Sequence, residues 1–312
     1  MQKLAFVFPG QGSQSVGMMA AYGDDSVLRN TFDEASAALG EDLWAMVCEG
    51  PAERLALTTN TQPLMLTAGV AVYRSWMTRT GRRPDMVAGH SLGEYAALVA
   101  AGVLTLADAV PLVRLRAQAM QDAVPAGTGA MAAVLGLDAA AVQACCDDAA
   151  QGQIVSAVNF NSPEQTVIAG HAEAVTRAMA LLSERGAKRT VALPVSAPFH
   201  CALMQPAAAR LAEALPKVAF ARPAITLINN VDVASPDEPD AIRDALVRQA
   251  AAPVRWVEVI QRMAELGAAT VAECGPGKVL AGLTKRIDRN LTGVALADAA
   301  SLEQLAQQIG AR

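Results

Sequence analysis

The chain has 312 residues, 53% hydrophobic and 18% charged, the composition of a folded protein with a sizeable core in one large or two modest domains. Its 25 basic and 30 acidic residues give a net charge of −5, so no overall field draws it to nucleic acid. Only 4% of residues are aromatic, too few for base-stacking platforms or interfacial belts, and no 18-residue apolar run escapes interruption, so neither nucleic-acid nor membrane association is expected.

From the start, Leu4–Phe8 is an apolar run closed by Pro9-Gly10, too short for a signal-peptide core and read as a first strand. Met86–Ala88 reads as a strand leading into a Gly-His-Ser turn, followed by helical patterns at Leu92–Ala101 and Leu106–Val124. Thr105 is placed to cap the second helix, and Pro111 predicts a kink or a late start. The middle of the chain reads strand Ala130–Leu135, helix Asp138–Ala149, strands Ile154–Phe160 and Gln165–Ala169, helix Ala172–Ser183 and strand Arg189–Val195. That β-α-β-β-α-β order is the ferredoxin-like signature. Beyond it come strand-like Ile225–Ile228, helical Ala241–Ala250 and Val257–Leu266, strand-like Thr270–Ala272 and helical Val279–Ile287. Strands separated by helices predict a mostly parallel sheet covered on both faces. The expected build is therefore an α/β domain from 1–126 and 197–312, interrupted by a small α+β subdomain at 127–196. The five cysteines, at 48, 145, 146, 201 and 274, form no CxxC pair and read as reduced, mostly buried thiols in a cytoplasmic protein.

Gly89-His90-Ser91-Leu92-Gly93 is a GxSxG between a strand and a helix. A sharp turn there crowds any Cβ at the glycines, lifts Ser91 Oγ clear, and sets it at a helix N-terminus whose dipole favours an oxyanion. A nucleophilic serine needs a base, and there are three histidines. His90 shares the turn and should diverge from Oγ, while His171 at a helix start reads as a cap or a surface residue. His200, in the Pro198-Phe199-His200 loop, remains as the general base. The glycine-rich Phe8–Gln14 loop lacks the third small residue of a dinucleotide site. It reads as a source of a backbone N–H for the oxyanion, or as a plain turn. Arg114 and Arg116 cannot share a helix face, so one can point inward; an inward Arg116 near Ser91 would grip a substrate carboxylate, and otherwise it is solvated.

Together Phe8–Gln14, Gly89–Glu94, the arginine after Leu115, Asn159-Phe160-Asn161-Ser162-Pro163, Pro198-x-His200 and Gly275-Pro276-Gly277 resemble the malonyl-CoA:acyl-carrier-protein transacylases of type II fatty acid synthesis, essentially end to end. The resemblance implies an α/β-hydrolase-like large domain carrying a ferredoxin-like subdomain. It implies that Ser91 is malonylated by malonyl-CoA with His200 as base, that the Gln249 main-chain carbonyl orients His200, and that the N–H groups of Gln11 and Leu92 form the oxyanion hole. Arg116 would hold the malonyl carboxylate, with Gln62, Asn159 and Asn161 lining the pocket. No permanently bound cofactor or metal is implied, and a monomer is expected. Phe199 departs from the small residue common before the histidine and bears on pocket size. The other substrate would be an acidic, phosphopantetheinylated acyl carrier protein. Lys278, Lys285 and Arg289, 7 and 11 residues apart, fall within about 20° on a helix. With Arg286 beside them and Lys188-Arg189 flanking, they form a candidate carrier patch, against the alternative of a solvated face. Rival readings are a polyketide or malonate decarboxylase acyltransferase, a serine thioesterase or esterase, and a non-catalytic binding module.

Overall fold

A computed structural model describes residues 3–310; Met1, Gln2, Ala311 and Arg312, at the outer ends of the expected large domain, lie outside the described residues. The chain begins with β1 (Lys3–Phe8), α1 (Ser26–Leu39), α2 (Leu43–Glu49), α3 (Ala52–Ala56), α4 (Thr58–Thr80), β2 (Met86–Gly89), α5 (Gly93–Ala100) and α6 (Leu106–Asp122). It continues through β3 (Gly129–Leu135), α7 (Ala139–Ala150), β4 (Val155–Ser162), β5 (Gln165–His171), α8 (Ala172–Glu184) and β6 (Arg189–Ala192). It ends with α9 (Gln205–Ala214), β7 (Thr226–Leu227), α10 (Pro239–Ala250), α11 (Trp256–Glu265), β8 (Ala268–Cys274), α12 (Val279–Ile287), β9 (Thr292–Leu296) and α13 (Ala299–Gln308).

Strands β7-β2-β1-β8-β9 form one parallel sheet in that order. Alternate residues of β1 face opposite ways, as a two-residue period requires. Leu4, Phe6 and Phe8 join a core with α1 and α4, while Ala5 and Val7 join a second core with Trp256, Val259 and Leu283. Burial on both faces explains why the strand reads as an unbroken apolar run. Strands β4-β5-β3-β6 form a separate antiparallel sheet, the order a ferredoxin-like subdomain demands. Helices α7 and α8 cover it through Val142, Cys146, Val175 and Leu182. The two layers are stitched by backbone: Val254 N–H donates to Val158 O (2.8 Å), and Phe160 N–H donates to Val254 O (3.0 Å).

Helix α6 starts at Leu106, where the Thr105 hydroxyl accepts from Asp108 N–H, and it runs through Pro111 without the late start expected. Strand β6 stops at Ala192, three residues early: Leu193 N–H makes one more bond to β3, at Met131 O (2.9 Å), and Val195 N–H then turns back to Leu193 O (2.9 Å). The Ile225–Ile228 run yields only two strand residues. The sequence reading assigned no element to 26–80, 205–214 or 292–308, where α1–α4, α9, β9 and α13 lie. Among the described residues, no helix is long and apolar enough to cross a membrane. All five cysteines are free, four of them buried.

Candidate active site

The site gathers at the carboxyl ends of β1, β2 and β7, the edge where open α/β sheets hold their ligands. The Gly89–Gly93 turn is closed tightly enough to exclude side chains. A Cβ on Gly89 would lie 1.9 Å from the Gly93 carbonyl carbon, and one on Gly93 would lie 2.1 Å from Phe8 O. Only glycine lets helix α5 begin against β1. Ser91 takes φ 54° and His200 φ 65°, both in the left-handed region that disfavours side chains by about 1–3 kcal/mol. Two strained residues meet: Ser91 Oγ lies 2.6 Å from His200 Nε2.

The tautomer follows from His200's other nitrogen. Nδ1 lies 3.0 Å from the Gln249 main-chain carbonyl, which can only accept, so Nδ1 carries the proton and Nε2 receives the serine's. Burial first, and the nearby Arg116 charge second, push the His200 pKa down to about 3. The imidazole is thus held neutral, as a base must be. Among the described residues, no carboxylate takes the third position of a triad; the Gln249 carbonyl stands there.

Arg116 is buried to 1% exposure. Its Nη1 donates to Gln62 Oε1 (2.7 Å), and its Nη2 donates to Gln249 Oε1 (3.0 Å) and to Ser91 Oγ (3.2 Å). Its guanidinium also lies 5.5 Å from the centre of the Tyr95 ring. The inward option is the one realised, while Arg114 turns outward to pair with Glu41 at 2.7 Å. A cation fixed beside the nucleophile equips the pocket for an acyl group that carries its own anion.

Gln62 does not line this pocket. It is wholly buried behind Arg116, on which Oε1 closes, while Nε2 donates to Gln11 Oε1. The expectation of a lining residue is corrected to one of support, because α4 is buried along most of its length. Gln11, His90 and Asn159 line both the reaction cavity of about 130 Å³ and a neighbouring cavity of about 320 Å³. Phe199 walls the first; Asn161 lines the second, and its Oδ1 lies 2.8 Å from His90 Nε2. Asn159 Oδ1 is buried with no protein partner, so it is available to a ligand. Among the described residues, neither Gln11 N–H nor Leu92 N–H donates to a protein acceptor, as an oxyanion hole requires. His171 stands at the N-cap position of α8, half-buried, but its side chain makes no cap bond; its Nδ1 instead accepts from Ile154 N–H.

Gln165 lines the second cavity and also a cleft of about 490 Å³ bordered by Lys188, Lys285, Arg286 and Arg289. The candidate patch therefore lies along the same path as Ser91. Its geometry differs from the helical projection in two ways. Helix α12 ends at Ile287, so Arg289 reaches the cleft from the following turn. Lys278 is the non-helical cap at the opposite end and takes no part in lining the cleft.

The parts played by two residues escaped the sequence reading, which had Glu94 only as the end of the Gly89–Glu94 motif and did not single out Asn230. Glu94 is buried to 1% and Asn230 to 0%, and both bond around the serine turn. Burial pushes the Glu94 pKa up to about 7. Each left a signal: an acid in the otherwise apolar run of α5, and an asparagine just past the carboxyl end of a parallel strand.

The acyl transferase domain family model matches residues 5–303. The chain is 57% identical over 308 residues to the malonyl CoA-acyl carrier protein transacylase of Escherichia coli K12, covering 97% of this chain and all of that one. It is 44% identical over 311 residues to the protein of that name from Bacillus subtilis 168, covering 99% and 98%. Among solved structures, the acyl-carrier-protein S-malonyltransferase of Burkholderia pseudomallei 1710b superposes with TM-score 0.96 at 58% identity, over 98% and 99% of the two chains. A malonyl-transacylase solved in complex with its type II PKS acyl-carrier protein superposes with TM-score 0.97 at 51% identity, over 98% and 99%.

Proposed function

The chain belongs to the acyl transferase domain family, and from that premise we propose that it moves malonyl groups from malonyl-CoA to the phosphopantetheine thiol of an acyl carrier protein, supplying fatty acid elongation. The observation that carries this reading is Ser91 Oγ held at once by His200 Nε2 and Arg116 Nη2, a nucleophile with a carboxylate receptor built beside it.

His200 Nε2 takes the Ser91 proton as Oγ attacks the thioester carbonyl. The N–H groups of Leu92 and Gln11 receive the oxyanion, whose charge exists only in the tetrahedral state. As the intermediate collapses, the C–S bond breaks and the Nε2 proton passes to the departing thiolate of CoA. Ser91 is left as a malonyl ester, with the malonyl carboxylate replacing the hydroxyl on Arg116 Nη2. The carrier thiol then gives its proton to His200 and attacks the ester; the ester C–O bond breaks, Nε2 returns the proton to Ser91 Oγ, and the carrier leaves with the malonyl group. Both substrates present a phosphopantetheine arm, which the second cavity accommodates past Asn159, leaving the larger body at the basic cleft of Lys188, Lys285, Arg286 and Arg289. A monomer in the cytoplasm, with no permanently bound cofactor, completes the reading.

Intact-mass measurement after separate addition of malonyl-CoA, acetyl-CoA and methylmalonyl-CoA tests it. A malonyl adduct on Ser91 that is discharged by a carrier protein is expected; methylmalonyl should load less, because Phe199 walls the pocket. Discharge to water at a rate matching discharge to thiol would make the protein a thioesterase instead.

A further inference from the structure

The nucleophile's backbone is held away from its relaxed conformation, and the acyl-enzyme must keep it there through two transfers. Asn230, fully buried, reaches that backbone from the loop after β7. Its Oδ1 accepts from Ser91 N–H and its Nδ2 donates to Gly89 O, both at 2.7 Å. One planar amide thus spans the turn. Reversing it would set donor against donor and acceptor against acceptor, so a single orientation is satisfied. Asn230 N–H in turn donates to Glu94 Oε2, and Gln249 Nε2 lies 3.0 Å from that same oxygen and 3.0 Å from Ser91 O.

We propose that Asn230 is a positioning residue for acyl transfer: its amide locks the left-handed turn at Ser91 so that Oγ meets His200 and the Leu92 N–H stays open to the substrate, with Glu94 anchoring Asn230 from beneath. Asn230 makes no bond to Arg116 and is not itself among the residues lining the reaction cavity, which it meets only through the Ser91 backbone, so it acts on the nucleophile's placement and not on acyl selection. The proposal rests on Ser91 being the acylated residue; a parent protein acylated elsewhere would sink that reading and leave this one without a subject, so the parent is examined first.

In Asn230→Ala, single-turnover acylation by malonyl-CoA should slow about 100-fold, the effect of a nucleophile displaced by about an ångström. KM for malonyl-CoA should stay within about twofold, and the preference for malonyl over acetyl should persist, because only the chemical step is touched. Asn230→Asp supplies a readout that lost stability cannot imitate. Ionised, its carboxylate opposes Gly89 O; protonated, it restores the asparagine's pattern of one donor and one acceptor. The ratio of variant to parent acylation rate should therefore rise as pH falls from about 8 to about 5, the buried carboxyl protonating within that range. Glu94, Arg116, His90, His200, Asp232 and Arg255 surround the position; because Glu94 would titrate together with the new carboxyl, the ratio is also taken with Glu94→Gln in both proteins, where the rise should persist. An Asn230→Ala rate within about threefold of the parent, a loss confined to KM, or a flat Asp-to-parent ratio would each overturn the proposal. Should the alanine variant not fold, the aspartate ratio decides.

Discussion

The serine turn and the basic cleft lie on one path and are built by opposite rules. At the turn each polar atom of Ser91 itself has a buried partner, from Asn230, Gln249, His200 or Arg116, at 2.6–3.2 Å. At the cleft the charges stand in solvent: the Lys188–Glu164 pair is about 70% exposed on each side, and Arg286 reaches Gln165 only at 3.4 Å. A reaction needs dipoles fixed before the substrate arrives, and burial supplies that fixity. An encounter between proteins needs charge that acts at a distance and lets go again, and exposed side chains supply that.

The largest expected effect breaks the turn chemically. Ser91→Ala should abolish both acyl-enzyme and transfer, and His200→Ala should slow both, by a factor on the order of 10⁴–10⁶ for single members of such a unit. Steady-state rates and intact mass measure it, and an adduct on any other residue rejects the assignment. Arg116→Ala should cost malonyl transfer about 2–5 kcal/mol, as expected when a buried carboxylate loses its partner. Acetyl transfer should fall far less, and equal losses would make Arg116 a purely structural residue.

Two of those three side chains were legible because each announces itself in the residues alone. Ser91 has glycines on both sides and His200 follows from a census of three histidines, whereas the spacing of Arg114 and Arg116 left the inward arginine open and the family resemblance singled out Arg116. What was not legible depends on chain segments far apart. Gln62 reads as a polar residue near a pocket, and only the burial of α4 shows that it stands behind Arg116. Asn230 lies 139 residues from Ser91 and is one of two adjacent asparagines. The ferredoxin-like order could be read because its two-residue and helical periods alternate cleanly. Helices α1 to α4 could not: α4 buries Thr61, Gln62, Thr67 and Ser75 along with its apolar residues, which blurs any amphipathic stripe.

At the cleft the expected change is smaller and depends on salt. Lys285→Glu combined with Arg286→Glu should raise KM for the carrier protein several-fold at low ionic strength, leaving acylation by malonyl-CoA nearly intact. The defect should shrink as salt rises, since exposed charges are screened within about 8–10 Å. Titration of carrier kinetics against salt checks this, and an unchanged KM at low salt would remove the cleft from the docking site. The smallest effect is a flat line. With its pKa near 3, His200 stays neutral and competent as a base well below pH 6.5. An ordinary histidine would lose about 30-fold of its basic form by pH 5. Acylation should therefore show no inflection near 6.5 from His200, and any inflection near 7 should vanish in Glu94→Gln, which removes the carboxyl beside the serine turn that burial raises to about 7.

The backbone stitch through Val254 fastens the ferredoxin-like layer to the large sheet on either side of Asn159. The slot between the layers is therefore tied by main-chain hydrogen bonds where Asn159 lines it. A flexible arm can be threaded through it while the bulk that carries the arm stays outside. What reaches Ser91 along this path is sorted by reach and slenderness, as by a keyhole.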